Sequence, residues 1–128
     1  MVKIIGKVEM PRTEDGSKFV TETTDLTTTS DTDVYVVPKN FSSHVYNLMI
    51  SNNNASNQNY TLKIYQKLSN TTHTLFTSHP VNGKNFENVF TNTLPLFLHA
   101  EDKIIIAAAS ANELVTLVAA EEFYDPAR

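Results

Sequence analysis

From residue 33 to residue 123 the chain is a succession of short apolar runs, each closed by a polar or turn-forming cluster, and this pattern points to an all-β fold. The runs read VYVVP, HVYNLMIS, YTLKIYQ, THTLFTS, LPLFLHAEDKIIIAAAS and ELVTLVAAEEF. Their lengths suit ordinary strands, singly or as strand–turn–strand pairs. Tyr60, Leu62 and Ile64 alternate with Thr61, Lys63 and Tyr65, the mark of a sheet with one wet face. The same alternation predicts Tyr46, Leu48 and Ile50 on one face of the preceding strand, with Val45, Asn47, Met49 and Ser51 on the other. Pro38 closes the run through Val34, Val36 and Val37, and Pro95 marks its segment as an edge strand or bend. In the last run, Val115, Thr116 and Val118 favour a strand over the helix that the Ala, Glu and Leu content would also allow.

Turn chemistry fits the same picture. Only three glycines are present, so Asn, which tolerates left-handed backbone, must make many of the turns. Residues 52–59 read as a solvent-facing hairpin loop. Val81-Asn82-Gly83-Lys84 and His99-Ala100-Glu101-Asp102 read as further turns. Residues 1–30 differ: a strand-like start at Val2 to Val8, a turn at Glu14 to Ser17, then an almost unbroken Thr, Asp and Ser stretch over residues 21–32. With Leu26 its one apolar side chain, such a stretch cannot build a core of its own, so residues 1–30 are expected to be an N-terminal arm and polar linker. Residues 31–128 are expected to form one antiparallel β-sandwich domain, Ig-like or jelly-roll. The apolar Ile4, Ile5, Val8, Phe19 and Val20 lie beyond that polar tether and are the expected contacts to a neighbouring subunit.

Composition narrows the function. A net charge of -4 with ten scattered Lys and Arg provides no basic footprint for nucleic acid. The absence of cysteine removes disulfides and thiolate metal sites and fits a reducing cytoplasm. No run approaches the ~20 apolar residues of a membrane span. The start MVKIIGKVEM lacks a signal peptide's long apolar region, so the sequons at Asn40, Asn54, Asn59 and Asn70 are not expected to be used. His44, His73, His79 and His99 have no zinc-ligand spacing. The acidic pairs Glu101-Asp102 and Glu121-Glu122 read as solvated turns or edge guards rather than acid–base machinery. No nucleophile elbow, P-loop or dinucleotide motif occurs. No cofactor and no enzymatic activity are expected. Aromatic residues among Asn and Thr leave one ligand-binding alternative, a carbohydrate-binding module stacking sugar on Tyr46, Tyr60 or Tyr65; as core and edge residues these and Phe41 need no ligand.

Tyr35-Val36-Val37-Pro38-Lys39-Asn40, Leu48-Met49-Ile50-Ser51-Asn52, the alternating Tyr60 to Tyr65, and Leu98-His99-Ala100-Glu101-Asp102-Lys103-Ile104 followed by Ala109-Ser110-Ala111 carry a resemblance. Over residues 31–123 the chain resembles small all-β virion proteins of tailed bacteriophages, cyanophages included. Glu101 stands where that group has Gly before Asp102. The resemblance implies a structural virion component without catalytic residues, assembled in the host cytoplasm. Its expected role is capsid decoration, clamping adjacent subunits of the major capsid protein as a homo-oligomer, with a trimer favoured. A tail, neck or baseplate component is the alternative in the same setting.

Overall fold

The computed structural model describes residues 5–9 and 16–126. These form ten strands and, among the described residues, no helix: β1 (Ile5–Glu9), β2 (Ser17–Asp25), β3 (Thr32–Val36), β4 (Phe41–Asn52), β5 (Gln58–Gln66), β6 (Thr71–Val81), β7 (Asn85–Phe90), β8 (Leu96–Leu98), β9 (Lys103–Ala108) and β10 (Leu114–Tyr124). The larger sheet runs β1-β2-β10-β4-β7, with β8 also on β4, and the smaller runs β3-β9-β5-β6. Every pairing is antiparallel. The chain is therefore an antiparallel β-sandwich. Its pairings nest: β2 with β10, β3 with β9, β4 with β7 and β8, β5 with β6. A nested hairpin wrapped so that successive layers alternate between two sheets is a jelly roll.

The core is made by the inward residues of both sheets. Tyr60, Leu62 and Ile64 of β5 and Ile104, Ile106 and Ala108 of β9 face Val45, Leu48 and Ile50 of β4 and Leu114, Val118 and Ala120 of β10. The β-branched content of β9 and β10 suits this half-buried pleated surface, which is why the last run is a strand and not a helix.

Three expectations are corrected. The boundary at residue 30 does not exist as an arm and linker: β2 lies between β1 and β10, paired with β10 along its whole length. Thr24 and Leu26, inside the supposed tether, are buried, because β-branched Thr can form strand as readily as it can fill a loop. The alternation on β4 breaks at Tyr46, where Ala120 pairs with Val45 and Ala119 with Asn47, leaving Tyr46 as the extra residue of a bulge. Val45 is accordingly in the core, and Tyr46 is not. Residues 52–59 do not close a hairpin either, since β4 and β5 belong to different sheets.

Asn52 is buried at this crossing and organises it. Its side-chain amide donates to the carbonyls of Ser56, Val81 and Asn82, while its Oδ1 accepts from Asn54 N. The Val81-to-Lys84 turn packs directly on this loop, and a Cβ at Gly83 would sit 2.1 Å from the Ala55 carbonyl oxygen. Glycine is required there for close approach, not for its dihedral freedom. In the turn before β9, Glu101 has φ 67°, the left-handed conformation that Gly adopts without strain. Asp102 holds the turn: it is buried, and its carboxylate accepts from Lys67 N and His99 N, both at 2.9 Å.

Candidate binding site

Glu121 on β10 is in register with Phe19 of β2 on one side and His44 of β4 on the other. Directly opposed residues on neighbouring strands share a face, so all three project from the outer surface of the larger sheet. Two strand spacings separate Phe19 and His44, ~9.5 Å between their backbones. The bulge brings Tyr46 alongside this row, between Phe19 and His44. Its ring stands 6.5 Å from Phe19 at 76° and 6.2 Å from His44 at 77°. The His44 ring is itself stacked on Phe97 of β8, at 4.7 Å and 28°, which fixes it as a wall. Phe19, His44, Tyr46, Asn92 and Glu121 line a depression of about 490 Å³, with Phe97 behind the His44 ring. Phe19 and Phe97 remain 37% and 68% exposed, so the rim presents aromatic surface to solvent.

Among the described residues the slot has one carboxylate, that of Glu121. Glu121 Oε2 accepts from Ser17 Oγ at 2.7 Å, and no cationic side chain among the described residues pairs with this carboxylate. Its neighbour Glu122 points the opposite way and is fully buried. There it accepts from the Tyr35 hydroxyl, which also bonds Ser43, with Lys18 Nζ 3.7 Å away. Burial, then the Glu122 charge, push the Tyr35 phenol far above its ordinary range. The pair expected to guard an edge or turn thus lies mid-sheet, with one carboxylate in the slot and one in the interior.

A second polar cluster closes the flank between β6 and β7. Glu87 accepts from the Tyr60 hydroxyl at 2.6 Å and meets His79 Nε2 at 2.8 Å, and Phe76 stacks on His79 at 5.2 Å. Burial, then the hydrogen bond to Glu87, raise the Tyr60 phenol well above its usual value. This cluster joins the two sheets. Among the described residues no group of three or more His, Asp and Glu could hold a metal.

The structure scatters the five expected contact residues. Ile4 lies outside the described residues, and Ile5 is described only through its backbone in β1. Val8 is 61% exposed, Phe19 forms a wall of the slot, and Val20, one residue on, is buried. Val20 is therefore not a contact for a partner; adjacent residues on a strand point to opposite faces. Of the proposed stacking tyrosines, Tyr60 is buried in the core, and Tyr65 bonds Asn70 and lies under the Lys103 ammonium. Only Tyr46 joins the slot. His44 and Asn92 complete the lining, and no spacing in the sequence joins them to it.

No protein-family model and no curated protein matches this chain. Among solved structures, the C-terminal family 22 carbohydrate binding module of Clostridium thermocellum Xyn10B is similar over 94% of this chain and 80% of that one, with 13% identity and a TM-score of 0.39.

Proposed function

We propose that this chain is a non-catalytic structural component of a virion, most specifically a decoration protein that attaches to capsid subunits through its outer surface. The observation that carries this reading is the amount of large apolar surface left on the outside: Val8, Leu75, Phe86, Leu94, Phe97 and Tyr124 are all 47–68% exposed. Of these, Phe97 is continuous through His44 and Tyr46 with Phe19, and contiguous exposed apolar surface marks sites that associate. The jelly roll is also a fold used by viral shells and by lectins. The sequence resemblance supports the shell.

The test is co-sedimentation of the purified chain with phage particles stripped of it, together with its copy number per particle. Rebinding at lattice stoichiometry is expected; failure to rebind, or recovery at only a ring's worth of copies, overturns the decoration role. A second reading, a carbohydrate-binding module, is favoured by the aromatic row Phe19, Tyr46, His44 and Phe97, whose rings could stack on sugar.

A further inference from the structure

We infer that the slot on the larger sheet is a receptor for an arginine side chain of the partner protein. The inference deepens the attachment role proposed above and rests on it for the identity of the partner. Its geometry is that of a planar cation site. Phe19 and His44 flank the carboxylate of Glu121 in register, and the Tyr46 ring closes the side between them, edge-on to both. Two strand spacings, ~9.5 Å, leave room for one flat group between two aromatic side chains. At the floor, Glu121 is a carboxylate without a cationic partner among the described residues, in a chain of net charge -4.

Three ligand chemistries could enter such a slot, and the floor decides between them. A sugar ring would stack on the aromatic walls and its hydroxyls could donate to the carboxylate, but a neutral ligand leaves the negative charge between them uncompensated. A lysine ammonium would pair with Glu121 as a point charge, yet it has no flat faces for the rings. A guanidinium has both: two faces that lie against aromatic rings and an edge of N–H donors that meets a carboxylate bidentately. Glu121 Oε2 already accepts from Ser17 Oγ, which holds the carboxylate in place rather than blocking it, because each oxygen has a second lone pair. Arginine is also among the residues that most often carry binding energy at protein interfaces.

The test uses the full chain, isotope-labelled, titrated with the blocked tripeptides Ac-Gly-Arg-Gly-NH2 and Ac-Gly-Lys-Gly-NH2 and with cellohexaose, read by amide chemical shifts. The arginine peptide should perturb Phe19, His44, Tyr46 and Glu121, and should bind about fivefold or more tightly than the lysine peptide. Glu121→Gln should weaken it by about tenfold while leaving the melting temperature in place. Phe19→Leu, which keeps an apolar wall but removes the π face, should weaken it about threefold. Equal binding of both peptides, shifts elsewhere only, or binding of cellohexaose in place of the arginine peptide would overturn the inference. Particle rebinding is scored separately: a chain that rebinds particles but ignores the arginine peptide refutes the slot and not the attachment role. One that binds the peptide but never rebinds does the reverse.

Discussion

Replacing Leu26 by Ala tests whether the Thr-rich segment is a strand-bearing part of the sandwich or a tether. Leu26 is 1% exposed and belongs to the core cluster. Its N–H donates to the Leu114 carbonyl at 3.0 Å, and its own carbonyl accepts from Asn112 N at 2.9 Å, so the backbone around it is clamped to the turn before β10. A clamped backbone cannot collapse into the space left by the deleted side chain. The cost should therefore fall in the large-to-small range for aliphatic core residues, ~2–5 kcal/mol. For a domain of this size each kcal/mol corresponds to ~3–5 °C, so the melting temperature should drop by roughly 6–25 °C. Val8→Ala, on an exposed side chain of β1, serves as the control and should change stability by no more than ~0.5 kcal/mol. Urea unfolding followed by far-UV circular dichroism measures both. A Leu26→Ala loss below ~1 kcal/mol, or one equal to that of Val8→Ala, would refute the packing argument and restore the tether.

Removing the Tyr35 hydroxyl (Tyr35→Phe) leaves the buried Glu122 without its donor and should cost ~1.5–3 kcal/mol in the same assay; a neutral change would show that the carboxylate needs no such bond. Both buried phenols are held above the ordinary 10.0, so the folded state retains their protons more tightly than the unfolded chain. Their stabilisation is intact below that pH and is lost as pH rises past it, so urea midpoints should fall above pH ~10, less steeply in Tyr35→Phe; a flat profile would contradict the burial of these groups. Glu101→Gly should raise stability by up to ~1 kcal/mol, relieving the left-handed strain at the loss of only a surface pair with Lys67. Destabilisation would mean that the side chain, not the backbone, organises the turn.

What the sequence disclosed was the part written in side-chain alternation. Tyr60, Leu62 and Ile64 face inward as their spacing predicts, and Leu114 to Ala120 is a strand because its β-branched residues suit a pleated surface. The Thr-rich β2 was illegible for a physical reason. Strands carry their signal in apolar residues, whereas β2 buries Ser17 and Thr24 along with Val20. A buried Thr looks the same in sequence as an exposed one. The β4 bulge was hidden for a related reason, since a single extra residue leaves no mark in composition yet reverses which of Val45 and Tyr46 faces the core.

The slot lay further from view than any strand, because it is made by register between segments distant in sequence. Phe19, His44 and Glu121 are each unremarkable where they stand in the chain, and they meet only because β10 inserts between β2 and β4. Had residues 1–30 been an arm on a polar tether, Phe19 would have no fixed neighbour in the sandwich, and Glu121 would sit on an exposed edge strand where a carboxylate merely discourages pairing. With β2 in place the same carboxylate is flanked by two aromatic side chains and becomes a recognition group. The chemistry of this face therefore depends on the strand the sequence concealed. A variant that loosens β2 without touching the slot, such as Thr24→Gly on the buried face, should weaken arginine-peptide binding along with stability. Glu121→Gln should weaken binding alone. If loosening β2 left binding unchanged, the three side chains would not be acting as one site.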